Sequence, residues 1–184
     1  MNPLYTQRLI IRPVEREDIP ALFAYRSDPE VSRYLQRDYH SVDDVKYLVD
    51  ETSRVADVPG TWFQLVVLAK DEGMIIGDIG IHFPAGDAQQ SQVEIGYTFA
   101  KQHQGKGFAR EAVSAVVEFI FAELNKRRIT AGLDPENRAS ERLLQRIGFV
   151  KEAHFRKSYY CKGEWVDDVI YALLKEEWKP GENR

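Results

Sequence analysis

The chain has one cysteine, Cys161, in 184 residues, which excludes an internal disulfide and fits a reducing compartment. No apolar run approaches the length of a membrane span, and the opening MNPLYTQRLI lacks a signal-peptide core. A cytoplasmic location with no membrane partner is the expectation. Histidine and cysteine nowhere cluster at ligand spacing, so no metal is expected. Basic excess is also missing: 25 Lys and Arg stand against 29 Asp and Glu, a formal charge of −4. That argues against a nucleic-acid partner held by bulk electrostatics, and it tolerates cationic substrates such as amines. Two phosphate-binding signatures are absent as well. No Gly-Lys is followed by Ser or Thr, which a P-loop needs, and Arg110 stands where a dinucleotide fingerprint requires a small residue. Repeats, low-complexity tracts and linkers are not seen, so one domain is expected over 1–184, its core at about 6–175.

What is present is organised around Gln92 to Leu124. Val93, Ile95, Tyr97 and Phe99 alternate with Gln92, Glu94, Gly96 and Thr98, the period of a strand. After polar Lys101 to Gln104 the chain passes through Gly105-Lys106-Gly107. From Ala109 the period becomes helical, with Val113, Val116, Val117, Ile120, Phe121 and Leu124 on one stripe. A strand, a glycine turn and a helix together aim backbone N–H groups and a positive helix end at an anion. Lys106 and Arg110 add positive charge beside them.

Around this stretch the pattern predicts further elements. A first strand covers Arg8 to Arg12, and a helix starts near Pro20. A second helix is capped by Asp28 ahead of Pro29 and carries Val31, Tyr34 and Leu35. A third is capped at Ser41 to Asp44, with Val45, Leu48, Val49 and Thr52 inward. Thr61 to Lys70 and Met74 to Phe83 form a hairpin about Asp71-Glu72-Gly73. Pro84 to Ser91 is a polar loop. Arg127 to Leu133 is a strand parallel to the central one, with the helix as crossover. Arg138 to Ile147 is a helix with Ala139, Leu143, Leu144 and Ile147 inward, stopped by Gly148. Strands from Phe149 to Tyr160 and Trp165 to Leu174 follow, then a polar tail from Glu176. His103 and His154 read as surface residues. The sum is a mixed α/β layout with a sheet of about seven strands flanked by helices.

Gln104-x-x-Gly107-x-Ala109 between strand and helix resembles the coenzyme A signature of the GNAT superfamily of N-acetyltransferases. The resemblance extends along nearly the whole chain and is closest to the RimJ/RimL type, which acetylates ribosomal-protein alanines. It is carried by Thr6-Gln7-Arg8-Leu9-Ile10-Ile11-Arg12, Ile76-Gly77-Asp78-Ile79-Gly80, Glu94-Ile95-Gly96-Tyr97, Asn137-x-x-Ser140, Gly148-Phe149 and Trp165-Val166-Asp167. Lys101-Gln102-His103 departs from the proline-containing approach common before the turn.

The resemblance implies the GNAT acyl-coenzyme A fold and transfer of acetyl from acetyl-CoA to a primary amine, either a protein N-terminus or a small molecule. Such a reaction needs a held thioester, a stabilised oxyanion, a deprotonated amine and a proton for the thiolate. The amides of Phe99 and Ala100 would then hold the pantetheine arm and the thioester oxygen. Those of Gln104, Gly105, Lys106, Gly107, Phe108 and Ala109 would hold the pyrophosphate. Asn137 is either a helix cap or a coenzyme ligand. Ser140 is the candidate acid, since the tyrosine many relatives use is missing from its helix. Glu94 is the candidate base, directly or through water, with His82 as rival. The competing reading is a coenzyme A-binding module without catalysis. A homodimer is compatible with either.

Overall fold

A computed structural model describes residues 1–86 and 89–181. One mixed sheet of eight strands runs through it: β1 (Leu4–Tyr5), β2 (Leu9–Pro13), β3 (Thr61–Ala69), β4 (Met74–Phe83), β5 (Gln92–Phe99), β6 (Arg128–Leu133), β7 (Val150–Cys161) and β8 (Glu164–Leu174). Their spatial order is β1-β2-β3-β4-β5-β6-β8-β7. The two-residue β1 is the strand beyond the expected seven, too short for any periodicity to reveal. All pairings are antiparallel except β5 with β6.

The helices are α1 (Ile19–Arg26), α2 (Pro29–Ser32), α3 (Val42–Asp50), α4 (Phe108–Ala122) and α5 (Arg138–Ile147). Local chemistry sets their starts. Pro20 lies in the first turn of α1, Asp28 accepts the Glu30 amide at 2.9 Å, and the Ser41 amide donates to Asp44 at 2.8 Å. α2 stops after four residues, so Tyr34 and Leu35 lie outside the expected helix. α5 ends on left-handed Gly148 with φ 110°. Its Leu144 and Ile147 are fully buried, but Ala139 is exposed, against the sequence expectation. The expected loop at 84–91 and tail from 176 fall partly outside the described residues.

The sheet buries both faces. On one face Leu9, Ile11, Phe63, Leu65, Ile79, Ile81, Val93 and Ile95 pack with Val113, Val116, Val117 and Ile120 of α4 and with Leu144 and Ile147 of α5. On the other, Val66 packs with Leu22, Tyr25, Val45 and Val49 of α1 and α3. Within this second layer lies a fully buried carboxylate, Asp78 on β4. It accepts from Tyr25 Oη at 2.5 Å, from Arg26 Nε at 3.2 Å, and from Arg26 Nη2 and Gln64 Nε2. Arg26 Nη1 in turn donates to Tyr39 Oη at 2.8 Å. Its only trace in the sequence is an acid standing mid-strand in Ile76-Gly77-Asp78-Ile79-Gly80.

Candidate active site at a fork in the sheet

β5 and β6 pair only through Gln92–Arg128, Val93–Ile129 and Glu94–Thr130. Beyond Glu94 they part, β5 staying with β4 as far as Phe99 and β6 with β8 as far as Leu133. The result is a fork inside the sheet, with Glu94 at its apex. Peptide groups alternate in direction along a strand. The Ala100 amide points away from the fork and donates to Ile76 O at 2.9 Å, so it is not the free donor the sequence suggested. The Phe99 peptide faces the other way, and its carbonyl accepts Gln104 Nε2 at 2.9 Å.

That Gln104 bond ties the glycine turn to the strand end. The turn uses two left-handed positions, Gly105 at φ 74° and Gly107 at φ 82°, and a Cβ on Gly105 would stand in open space. Gly107 is the N-cap of α4, so the first amides of a fifteen-residue helix face outward here with its positive dipole end. This backbone suits an anion such as a diphosphate. Of the approach residues, His103 is buried rather than on the surface, at 5% exposure, and its ring lies 6.1 Å from that of Phe108. His154 is exposed, with Nε2 2.7 Å from Asp167.

Two groups of titratable side chains flank the fork from opposite faces. On the α4–α5 face, Tyr97 Oη and Ser140 Oγ are 2.6 Å apart. Burial pushes the Tyr97 phenol well above its ordinary value, against the opposing effect of the Ser140 hydrogen bond. Asn137 caps α5, its Oδ1 accepting the Ser140 amide at 3.1 Å, which fixes where the serine stands. In the sequence Tyr97 stands out only as an alternating strand residue and as the end of the Glu94-Ile95-Gly96-Tyr97 motif. Its partnership with a serine 43 positions away needed the fold.

On the α1–α3 face lies Glu94, with His82 Nδ1 3.7 Å from its carboxylate and the His82 ring stacked on Trp62 at 4.9 Å. Burial raises the Glu94 pKa. His82 opposes the rise and Asp168 adds to it. Asp168, which sequence reading overlooked beside the noted Asp167, is itself raised by burial against a hydrogen bond from the Val169 backbone. Its Oδ1 and Glu94 Oε1 stand 3.4 and 4.0 Å from the point where a Cβ on Gly132 would be. Gly96, beside Glu94, opens onto free space. The segment 32–38 crosses above: Lys162 Nζ donates to Ser32 O at 2.7 Å and pairs with Asp38 at 2.6 Å, while Arg33 pairs with Glu136 at 3.2 Å. Among the described residues no group of three or more His, Cys, Asp or Glu side chains is placed to hold a metal ion, and no helix is long and apolar enough to cross a membrane. A separate cavity of about 400 Å³, between α1 and the β3–β4 turn, is lined by Arg12, Asp18, Tyr25, Met74 and Gln102.

Comparison with known proteins agrees with this architecture. Residues 8–150 match the acetyltransferase (GNAT) domain. An uncharacterized N-acetyltransferase, p20 of Bacillus licheniformis, is 35% identical over 97% of this chain and 99% of its own length. The [ribosomal protein uS5]-alanine N-acetyltransferase of Escherichia coli is 28% identical over 97% of this chain and 93% of its own. The crystal structure of a GNAT-family acetyltransferase from Bacillus anthracis superposes with a TM-score of 0.84 at 30% identity, covering 96% of this chain and all of that one. With the domain matched over most of its length and the sheet forked beside a helix-borne glycine turn, the chain belongs to the GNAT family and is an acetyl-CoA-dependent N-acetyltransferase.

Proposed function

We propose that the protein transfers acetyl directly from acetyl-CoA to a primary amine within a ternary complex, the donor entering the fork from the α4–α5 face and the acceptor from the α1–α3 face. The observation that carries this reading is the division of the titratable groups: Glu94 and Asp168 stand on one face, and the Tyr97–Ser140 pair on the other. In this scheme the turn 104–109 holds the diphosphate, the Phe99 amide takes the pantetheine arm, and the amide group of Asn137 adds a contact while its Oδ1 caps α5. Glu94, its proton affinity raised by burial, removes a proton from the acceptor ammonium directly or through water. The amine nitrogen attacks the thioester carbon and the C–S bond breaks. The thiolate takes the Ser140 proton, Ser140 is reprotonated through Tyr97, and Tyr97 recovers its proton from solvent while the acylated nitrogen gives up its second proton to water. Unassisted, a serine hydroxyl is a poor acid toward a thiolate, and Tyr97, whose burial makes it a weaker acid than usual, serves at 2.6 Å as a conduit for the proton rather than its source. His82 flanks the base and orients it.

For the acceptor we propose a cationic amine, because the carboxylates of Glu94 and Asp168 converge near Gly132. The E. coli relative is named for N-acetylation of an alanine of ribosomal protein uS5, and a protein N-terminal amine fits here alongside small amines. The lone free thiol, Cys161, suits a reducing compartment, and a cytoplasmic setting is part of the same proposal. Thermal unfolding with acetyl-CoA, with ATP and NAD as controls, tests the donor. At about 100 times its dissociation constant a ligand adds about 2.7 kcal/mol, a rise of about 5–10 °C for a chain of this size. Absence of a rise at millimolar acetyl-CoA refutes the reading. Thiol release against amines and peptides then screens the acceptor, and donor binding without release on any of them would favour a non-catalytic coenzyme A module.

A further inference from the structure

The bend between β1 and β2 reaches the glycine turn through the Arg8 side chain. Arg8 Nε donates to Glu111 Oε2 at 2.7 Å, Nη1 donates to Lys106 O at 3.0 Å, and the guanidinium lies over the Phe108 ring at 4.3 Å. The Arg8 amide donates to Glu111 Oε1 at 2.8 Å, and Thr6 Oγ1 donates to the same oxygen at 2.6 Å. The third nitrogen, Nη2, makes no hydrogen bond to a described residue and stands 3.4 Å from where a Cβ on Gly107 would be. A residue about 100 positions away in sequence is thus bonded to the turn's backbone, to the first turn of α4 and to the ring between them.

Electrostatics give these contacts a purpose. Glu111 suits the first turn of a helix, but a carboxylate there repels any anion drawn to the same amides. Burial would raise its pKa, yet the hydrogen bonds from Thr6 and Arg8 outweigh burial and leave it below its ordinary value, so it is charged at neutral pH. Arg8 sits against that charge and also holds the Lys106 carbonyl, which fixes the peptide planes of the turn.

We propose that Arg8 is a positioning residue of the donor site: it sets the Gly105–Gly107 turn, masks the Glu111 charge, and turns Nη2 toward the diphosphate of the coenzyme. The proposal rests on the reading of this turn as the diphosphate site. It is specific to one part of the ligand, since pantetheine has the arm but no diphosphate.

The test compares coenzyme A with pantetheine by titration calorimetry on wild type, Arg8→Ala, Arg8→Lys and Arg8→Ala/Glu111→Gln. Arg8→Ala should weaken coenzyme A at least tenfold and leave pantetheine within twofold. Removing the unmasked carboxylate in the double variant should restore part of the loss. Arg8→Lys keeps a charge but cannot form the paired Nε and Nη1 bonds, so it should fall between wild type and Arg8→Ala. It carries the test if Arg8→Ala does not fold, its coenzyme A then weakening at least threefold with pantetheine unchanged. Equal weakening of both ligands would reduce Arg8 to general structural support, and no weakening in a folded variant would remove it from the site. Wild type binding both ligands equally would overturn the diphosphate reading itself, an outcome distinct from either.

Discussion

The carboxylate of Asp78 allows a prediction whose sign separates two physical accounts. It is fully buried and accepts four hydrogen bonds, from Tyr25, Gln64 and two nitrogens of Arg26, whose own side chain is 8% exposed. Asp78→Ala leaves a guanidinium inside the protein whose one remaining hydrogen-bond partner among the described residues is the Tyr39 hydroxyl, and it strands the Tyr25 and Gln64 donors. Breaking a buried pair from one side costs about 3–5 kcal/mol. For a chain of this length that lowers the melting midpoint by about 6–20 °C. Adding Arg26→Met removes the stranded charge while keeping an apolar stem of similar length. The double variant should therefore be more stable than Asp78→Ala alone, by about 1–3 kcal/mol. Urea unfolding followed by circular dichroism gives both values. If the two losses simply add, the buried charge is not what makes the single substitution costly, and the reasoning fails.

Other expectations concern the fork. Tyr97→Phe and Ser140→Ala should each lower kcat by about 10²-fold or more with little change in coenzyme affinity, and the double variant should lose far less than the product of the two; full multiplicativity would mean the two hydroxyls act separately. Glu94 works as a base only when deprotonated, so kcat/KM should fall as pH drops through its pKa, and burial places that limb above the ordinary glutamate value. In Glu94→Gln the limb should vanish with a rate loss of about 10²–10⁴-fold, and an unchanged profile would eliminate Glu94 as the base. A Cβ on Gly96 meets nothing within 4 Å, whereas one on Gly80 would meet Trp62 and Gln64 at 2.9 Å. Gly96→Ala should therefore fold normally and raise the acceptor KM alone, while Gly80→Ala should lose stability; a raised donor KM in Gly96→Ala would place that glycine on the wrong side of the fork.

Local chemistry was readable in the chain, and long-range partnership was not. The caps at Asp28 and Ser41, the strand from Gln92 to Phe99 and the helix behind Gly107 depend on residues within a few positions of one another, so spacing alone located them. The fork, the Tyr97–Ser140 pair and the Arg8–Glu111 bonds join positions that only the sheet order brings together. A run of Lys, Gln and His reads as solvated, while the fold lays the His103 ring beside Phe108. The Ala100 amide departs from expectation for a subtler reason. Which amides a diverging strand leaves free depends on peptide direction, and that direction is fixed by the partner strand, here through Ile76.

Unpaired strand edges are dangerous because they recruit other chains. The outer edges of this sheet are guarded, one by the two-residue β1 and the other by a β7 carrying Lys151, Glu152, Arg156 and Lys157. The fork adds an edge in the middle of the sheet, bounded by β6 across the divide and by the helices on either face. A foreign strand arriving with its side chains would meet β6 and the helices at that wedge, whereas a slender, extended arm of the kind proposed for the donor needs less width. The enclosure that would suit one thin donor thus also shields the inner edge from a second chain, and the carboxylates there are left to serve chemistry rather than to guard an edge.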